Sequence, residues 1–178
     1  MLKYLEIRNE VETMNKLVIL GAGGYGNTVR DIAEQLGYTA ITVLDDSIVE
    51  RPLASFVDYL EENTEFIPAF GNNEFRMEWI KRIEKAGGRL ATLIHPTAYI
   101  SPKASIYPGT VILPHAIINT DTVVEKGCII NLAAVVDHGC IIEEGVHICL
   151  GAIVKGENRV KTLSKIEAGE VIEARKWH

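Results

Sequence analysis

The chain has 178 residues, a formal net charge of −6 and a hydrophobic fraction of 47%, which suits one or two globular domains. Its acidic balance and lack of a basic stripe argue against nucleic acid as a partner. The sequence has no run of 18 apolar residues, so no membrane span is predicted. The N-terminus lacks the features of a signal peptide, and the three cysteines show no metal-ligand spacing. A reduced, cytoplasmic location is therefore expected.

The first 92 residues predict a short extension followed by a strand, a helix and a second strand. Residues 1–15 are polar and weakly patterned, so they are interpreted as an N-terminal extension. Residues 16–20 and 40–44 are short apolar runs that predict buried strands. Between them, residues 27–37 predict a helix with one apolar face that stops at Gly37. This order predicts an α/β domain of the Rossmann-like βαβ type over residues 16–92.

The loop between the first strand and the helix is rich in glycine, since residues 21–26 read Gly-Ala-Gly-Gly-Tyr-Gly. Glycine lets the backbone approach a phosphate, and the helix that follows directs N–H groups and a positive dipole towards it. Asp45 stands at the end of the second predicted strand, where a carboxylate can hold ribose hydroxyls. One βαβ unit is too small for a dinucleotide, so a nucleotide-linked substrate fits better than NAD. The alternative is a glycine turn that only packs helix against strand.

The rest of this half predicts a second helix and a strand that leads into the C-terminal half. Residues 73–86 form an amphipathic pattern, in which Phe75, Trp79, Ile80 and Ile83 share one face and are expected to point inward. Residues 90–94 predict the connecting strand. The boundary between two domains is therefore expected near residue 92.

The second half, residues 93–178, carries a six-residue repeat. In a helix this period would scatter side chains around the axis, whereas along strands an even period keeps them on one face. One strand of such length is not reasonable, so the chain must turn once in every repeat. The fourteen repeat positions, all Ile or Val, are Ile94, Ile100, Ile106, Ile112, Ile118, Val124, Ile130, Val136, Ile142, Ile148, Val154, Val160, Ile166 and Ile172.

Turn-forming and small residues recur in phase with this repeat. Proline lies two positions after the repeat residue in four successive repeats, and glycine lies three positions after it in six. The fourth position is mostly small, which suits a narrow prism and places Cys128 and Cys140 inside it as core thiols. Three repeats then make one triangular coil of 18 residues. Residues 93–178 are therefore predicted to form an all-β, left-handed parallel β-helix.

Three polar residues of this half are candidates for a functional site. His138 occupies a turn and so points outward at a corner of the prism, where a neutral imidazole is suited to accept a proton. His147 stands where other repeats hold aliphatic residues. For both, an ordinary exposed histidine is the alternative. Asn131 follows an inward isoleucine, where a turn or ladder role is as reasonable as a substrate contact.

Several motifs together resemble one family, the hexapeptide-repeat acyltransferases that acetylate sialic acids and the amino sugar of UDP-bacillosamine. They are LVILGAGGYG, LDD, FGNNEFR, LIHPTAYISPKASI and INLAAVVDHGCIIEEGVHICLGA. The resemblance implies a homotrimer that binds acetyl-CoA between adjacent prisms and acetylates an amine or hydroxyl of a nucleotide-linked sugar.

The resemblance also implies roles for particular residues. His138 would be the general base. His147, Gly151 and Ala152 would lie near acetyl-CoA, with the Gly151 N–H close to the thioester, and Asn131 would lie near the sugar. The residues implied to contact the nucleotide are Gly21, Gly23, Gly24, Tyr25, Asp45 and Asp46.

This sequence departs from the family pattern at three places. The family usually has histidine where Tyr25 stands. It usually has an acidic residue where Gly139 stands, and that acid would orient the imidazole, so here Asp137 or a neighbouring subunit is expected to do so. Family members commonly have further coils that grip the CoA arm, whereas here Asn158 and Glu170 break the small-residue rule.

Two other functions remain open on the sequence alone. One is a catalytically silent trimer that binds a sugar nucleotide or acts as a scaffold, with a shortened β-helix. The other is a metal-dependent hydratase of the carbonic anhydrase type, with His115, His138 and His147 as ligands. The spacings of these histidines are not whole coils, so no metal is expected.

Overall fold

The N-terminal part of the protein is a parallel sheet with helices on both sides. The computed structural model describes residues 16–175, and the predicted extension of residues 1–15 lies outside them. Strands β1 (Lys16–Leu20), β2 (Ala40–Leu44), β3 (Thr64–Pro68) and β4 (Arg89–Leu90) pair in the order β2-β1-β3-β4. The helices are α1 (Gly24–Gln35), a 3-10 helix (Leu53–Tyr59) and α2 (Asn73–Lys85). Within the described range, every helix is too short or too polar to cross a membrane.

Apolar side chains pack the helices against both faces of this sheet. Val29 and Ile32 of α1 pack on one side against Leu17 and Ile19 of β1. Phe56 of the 3-10 helix and Trp79 and Ile83 of α2 pack on the other side. The parallel sheet is thus covered on both faces, as parallel sheets require.

The C-terminal part is a three-sided prism of short parallel strands. The fourteen strands are β5 (Leu93–Ile94), β6 (Tyr99–Ile100), β7 (Ser105–Ile106), β8 (Val111–Ile112), β9 (Ile117–Ile118), β10 (Val123–Val124), β11 (Ile129–Ile130), β12 (Val135–Val136), β13 (Ile141–Ile142), β14 (His147–Ile148), β15 (Ile153–Val154), β16 (Arg159–Val160), β17 (Lys165–Ile166) and β18 (Val171–Ile172). The first face is β5-β8-β11-β14-β17, the second is β6-β9-β12-β15-β18 and the third is β7-β10-β13-β16. Residues in register on one face are 18 apart, as Ile129 and His147 are.

The fourteen repeat residues fill the interior of the prism. Each is the second residue of a strand, and each is at most 6% exposed. Burying an Ile or Val side chain contributes on the order of 2 kcal/mol relative to leaving it in water. Cys128 and Cys140 lie in the same core, as predicted. The predicted fold class, a Rossmann-like α/β domain followed by a parallel β-helix, is confirmed.

The chain turns at three corners, and most turns contain one residue with positive φ. The first corner joins the first and second faces, the second joins the second and third, and the third joins the third and first. Non-glycine residues adopt positive φ at several of these turns, including His115, Asp121 and Ala133. At the third corner the residues are Gly109, Gly127 and Gly145 in three successive coils.

Helix α2 explains why the third corner needs glycine. A Cβ on Gly127 would lie 2.5 Å from Sδ of Met77 and 2.6 Å from Cδ1 of Ile80, both on α2. A Cβ on Gly145 would lie 2.6 Å from Cγ of Met77. The helix therefore lies flat against this glycine column, and the N-terminal domain covers the third corner and part of the first face.

Arg76 joins the two parts of the molecule. Its side chain is 1% exposed, and its guanidinium donates to the carbonyls of Gly127 and Gly145 at 2.8 Å each. It also donates to the carbonyl of Phe70 and to Oδ1 of Asn73, both at 2.9 Å. A buried cation needs such a full set of acceptors, so Arg76 fixes α2 to two successive coils.

Some predicted elements differ from those observed. Helix α1 begins at Gly24 rather than 27, because the glycine loop itself makes the first turn. The predicted strand 90–94 is divided between β4 of the sheet and β5 of the prism. Phe75 was expected to point inward, but it is 40% exposed and makes an edge-to-face contact with Phe70, with ring centroids 4.6 Å apart, while Met77 and Arg76 are buried instead.

Candidate active site

Asp137 and His138 form a side-chain pair at the second corner of the prism. Nδ1 of His138 lies 3.0 Å from Oδ1 of Asp137. The His138 side chain is 52% exposed, so its ring lies on the outer surface of the corner. Because Nδ1 faces a carboxylate, the ring proton belongs on Nδ1, which leaves the Nε2 lone pair as the basic site.

The carboxylate of Asp137 is itself held in place. Its Oδ1 accepts from Nδ2 of Asn119 at 2.9 Å and from the backbone N–H of His138 at 2.7 Å. These hydrogen bonds, led by that of Asn119, lower the pKa of Asp137 below its ordinary value. The side chain is therefore ionised at neutral pH, and it can hold the imidazole in one tautomer. This geometry supplies within one chain the orienting acid expected from Asp137.

Gly156 lies directly beside the His138 ring, one coil further on. A Cβ on Gly156 would lie 2.5 Å from Cε1 and 2.9 Å from both Nδ1 and Nε2 of His138. The ring therefore lies across the backbone of Gly156. Gly156 is buried, and among the described residues no acceptor for its N–H is found. Its N–H, unpaired among the described residues and next to a candidate base, is a donor available to a ligand.

The second face of the prism, which ends at this corner, is apolar and exposed. The first residues of its strands point outward, and they are Tyr99, Ile117, Val135, Ile153 and Val171. Four of them are between 37% and 56% exposed, and Val135 is half-buried. At the first corner, on the other edge of this face, Leu132 and Leu150 are also exposed. The candidate base thus stands at the margin of a wide apolar surface.

Gly151 and Ala152, two of the predicted acetyl-CoA contacts, use their backbone N–H groups within the coil. The N–H of Gly151 donates to the carbonyl of Leu132 at 2.9 Å, so it is not free to face a thioester. Ala152 is fully enclosed in the prism core, and its N–H donates to the carbonyl of Cys149. Gly151 also lies at the first corner, whereas His138 lies at the second. The Gly151 N–H is therefore not retained as the donor to the thioester, whereas contacts of Gly151 and Ala152 with acetyl-CoA stay predictions.

His147 and Asn131 form a second polar pair, on the first face. Nδ2 of Asn131 lies 3.0 Å from Nε2 of His147, and Oδ1 of Asn131 accepts from the N–H of Leu132 at 2.8 Å. This arrangement makes Nε2 of His147 an acceptor and places its proton on Nδ1, which is buried with no partner among the described residues. Burial, with a smaller effect of Arg76, lowers the pKa of His147 to about 4. His147 is thus neutral, and no hydrogen bond joins it to His138 within residues 16–175.

The glycine loop combines two closely packed glycines with two open ones. A Cβ on Gly26 would lie 2.0 Å from the carbonyl oxygen of Gly21, and one on Gly21 would lie 2.9 Å from the carbonyl oxygen of Ala69. A Cβ on Gly23 or Gly24 would meet nothing within 4 Å, so the backbone of these two residues is open to a ligand. Helix α1 begins there with no side-chain cap and no acidic residue in its first turn, which leaves its N-terminal N–H groups for an anion.

Asp45, Asp46 and Tyr25 surround this loop. Oδ2 of Asp45 accepts from the N–H of Ala22 at 2.8 Å, and its Oδ1 accepts from Ser47, whose hydroxyl contributes most to the lowered pKa of Asp45. Asp46 accepts from the N–H of Leu53. The Tyr25 hydroxyl is buried without a partner in the described part of the chain, and burial raises its pKa. Asp45 therefore ties the loop to the end of β2.

The three histidines considered as metal ligands lie apart on the prism. His115 is at the first corner, His138 at the second and His147 on the first face. Within residues 16–175, no group of three or more His, Cys, Asp or Glu side chains is arranged to hold a metal ion.

Two site residues were not found from the sequence. Asn119, which holds Asp137, precedes it by 18 residues, and Gly156 follows His138 by 18 residues. The coil length inferred from the repeat identifies such vertical neighbours. Adding and subtracting 18 at each candidate residue would have found both.

Known proteins share this arrangement of an α/β domain and a prism. The family model of the PglD N-terminal domain matches residues 16–83. The acetyltransferase domain of PglB from Neisseria gonorrhoeae FA1090, solved in complex with acetyl coenzyme A, is 34% identical with a TM-score of 0.85, and the match covers 92% of this chain and 84% of that one. The chain belongs to the hexapeptide-repeat family of sugar acetyltransferases. This membership confirms the predicted family and the prediction of an acetyltransferase.

A more distant structure supports the fold alone. PerB from Caulobacter crescentus, solved in complex with CoA and GDP-perosamine, is 23% identical with a TM-score of 0.76. The match covers 91% of this chain and 90% of that one. The order of an α/β domain followed by a β-helix is therefore shared over nearly the whole described chain.

Proposed function

We propose that this protein transfers an acetyl group from acetyl-CoA to an amine or hydroxyl of a nucleotide-linked sugar, with His138 as the general base. The observation that carries the proposal is the Asp137–His138 pair, oriented at 3.0 Å on an exposed corner beside an apolar face. Relatives were solved with acetyl coenzyme A and with CoA and GDP-perosamine, which supports these substrate classes.

The proton transfer follows from the orientation of the imidazole. Asp137 holds the proton on Nδ1, so Nε2 of His138 takes the proton from the attacking amine or hydroxyl. The nitrogen or oxygen of the acceptor bonds to the thioester carbonyl carbon, and the carbon–sulfur bond then breaks. The proton held on Nε2 passes to the departing CoA sulfur, which restores the neutral imidazole.

The oxyanion that forms during this attack needs a donor, and Gly156 replaces Gly151 in that role. Gly156 lies beside the His138 ring, and its N–H has no acceptor among the described residues. A fixed backbone donor aimed at a developing negative charge stabilises it without reorganisation.

The glycine loop is the proposed site for the phosphates of the nucleotide sugar. Gly23 and Gly24 leave the backbone open at the start of α1, and Gly21 shapes the turn beneath them. Asp45 holds the loop through Ala22, and Asp46 keeps an exposed carboxylate near the same sheet edge. Tyr25 remains a proposed contact for the nucleotide, Asn131 for the sugar and His147 for the acyl group.

The proposed assembly is a homotrimer in which the second face of one prism meets a neighbouring copy. Five outward apolar residues along this face support it, because soluble monomers rarely expose such a stripe. His138 at the edge of the face would then lie in a cleft between two copies. The cytoplasmic location stays a prediction; the three cysteines are unpaired and buried, as suits a reducing compartment.

Replacing His138 by alanine tests the proposal. The acceptor is found first by thermal shift with acetyl-CoA and a panel of UDP-, GDP-, CMP- and dTDP-linked sugars, since ligands raise the melting temperature. With that acceptor, turnover is followed by CoA release. The kcat of His138→Ala should be ~10²–10⁴-fold lower than that of the wild type, which is the usual contribution of a general base, while KM changes little.

His115→Ala is the matched control, because His115 is an exposed turn histidine at another corner. It should keep wild-type turnover. Full turnover by His138→Ala would remove His138 from the mechanism. Binding of a nucleotide sugar without any CoA release by the wild-type protein would instead favour the catalytically silent alternative.

A further inference from the structure

Gly156, which lies next to the ring of His138, has no side chain to compete with that ring for space. The Cβ of any larger residue at position 156 would overlap the imidazole ring, since it would lie 2.5 Å from Cε1 of His138. Two non-bonded carbon atoms approach comfortably only to about 3.5–4.0 Å. The ring and a Cβ at this position therefore cannot coexist in the observed geometry.

The backbone of Gly156 does not itself demand glycine. Its φ is not among the positive values that glycines adopt at the other turns. The carbonyl of Gly156 accepts from the N–H of Arg175, and the N–H of Glu157 donates to the carbonyl of His138, so the coil is held by ordinary backbone bonds. An alanine there would be compatible with the turn and would conflict only with the imidazole.

The imidazole can rotate away from such a steric clash. Its side chain is half exposed, and no hydrogen bond from another residue of the described chain holds the ring apart from Asp137. A Cβ at position 156 would rotate the ring into solvent and away from Oδ1 of Asp137. The turn would survive and the orientation of the base would not.

We propose that Gly156 is a positioning residue, whose missing side chain lets the His138 imidazole lie across the next coil in contact with Asp137. The proposal rests on the proposed role of His138 as general base. It adds a steric requirement one full coil away from the base, which would be met by glycine only.

The test compares Gly156→Ala with the wild-type protein in turnover, stability and the NMR signals of the histidine ring. The signals of His138 are assigned by their disappearance in His138→Ala. In Gly156→Ala these signals should shift, kcat should fall ~10–10²-fold as expected for a misplaced catalytic group, and the KM values should change little. Gly71→Ala is the control, because a Cβ at Gly71 meets nothing within 4 Å and its φ is not positive.

A double variant separates a positioning role from a general structural one. In the His138→Ala background, the loss of turnover caused by Gly156→Ala should be much smaller than in the wild-type background, because the ring that it displaces is gone. Unmoved His138 signals in Gly156→Ala, or an unchanged kcat, would overturn the inference. Wild-type turnover by His138→Ala would instead contradict the proposed role of His138 as general base, so the failure of the inference and the failure of the proposed function are distinguishable.

Discussion

His147 is a histidine whose surroundings keep it uncharged. Its Nε2 accepts from Asn131, and its Nδ1 is buried without a partner in the described residues. The buried guanidinium of Arg76 adds to the effect of burial, and together they lower the pKa of His147 to about 4 from its ordinary 6.5. Protonation of this ring is therefore linked to unfolding.

The sign of this linkage predicts a loss of stability in mild acid. The unfolded chain protonates His147 near pH 6.5, whereas the folded chain resists protonation until about pH 4. The unfolded state thus binds more protons in this window, and the free energy of unfolding falls as the pH falls from 6.5 to 4. The expected loss is about 1–2 kcal/mol, since partial hydration of the ring weakens the effect. Urea unfolding across this pH range measures it.

His147→Leu is the matched variant, because the same outward row holds Leu93, Val111 and Ile129 in the preceding coils. Its free energy of unfolding should depend less on pH between 6.5 and 4 than that of the wild type. His95, whose pKa is also lowered by burial, is present in both proteins and cancels in the comparison. Parallel pH profiles would contradict the assignment.

At the scale of single residues, some site residues could be predicted from the sequence and others could not, for a physical reason. His138 could be found because it occupies a turn of the repeat, and His147 because it interrupts an aliphatic row. Arg76 could not, because it reads as a charged residue on an exposed helix face. Two of its acceptors are the backbone carbonyls of Gly127 and Gly145, which carry no side-chain signal and lie far away in the chain.

At the scale of elements, the contact between α2 and the third corner joins the two parts of the molecule. The helix lies on a column of glycines, and Met77 and Ile80 touch the column directly. Asn73 also donates to the carbonyls of Leu163 and Ser164, one coil further along. The orientation of the glycine loop relative to the prism depends on this contact.

Gly127→Ala should destabilise the protein more than Gly169→Ala. Both glycines adopt φ near +70°, so both variants carry the same strain of about 1 kcal/mol for a left-handed alanine. Only at Gly127 does the new Cβ meet α2, at 2.5 Å from Sδ of Met77, whereas at Gly169 nothing lies within 4 Å. Overpacking of this kind adds roughly 1–3 kcal/mol, measurable by urea unfolding. Equal losses in the two variants would show that α2 does not press on the corner.

The elements differed in how well the sequence predicted them. The prism was predictable because one repeat specifies strand, turn and inward residue at once, and all fourteen Ile and Val residues are buried as expected. Strand β3 was not predicted, because Thr64 and Glu65 interrupt its apolar run. Both are nevertheless buried, and Glu65 accepts from the hydroxyl of Tyr38 at 2.5 Å. A buried polar partner far along the chain cannot be inferred from local periodicity.

At the scale of the whole molecule, the N-terminal domain and the apolar second face occupy different sides of the prism. The domain covers Val111, Leu113 and Ile129 on the first face and the glycines of the third corner. The second face keeps its outward apolar side chains exposed. A partner copy can therefore reach the second face without displacing the N-terminal domain.

Charged substitutions on the second face should break the proposed trimer. Ile117→Lys combined with Ile153→Lys places two charges in the centre of the exposed stripe, where burial against a neighbour would be costly. Sedimentation should then report the mass of one chain instead of three, and turnover should fall with the loss of the shared cleft. Val49→Lys is the control, because Val49 is 87% exposed on the N-terminal domain. Unchanged sedimentation of the double variant would refute this interface.

The three-sided coil restricts how this chain can change in length. Losing one six-residue unit before Asn119 would keep the Ile and Val residues inside the prism, yet it would carry the imidazole a third of a revolution around the axis relative to the N-terminal domain. The base would then stand on another edge of the prism relative to the glycine loop. Only whole coils of 18 residues can be gained or lost there with chemistry intact, so a length change that folding accepts can still silence the enzyme.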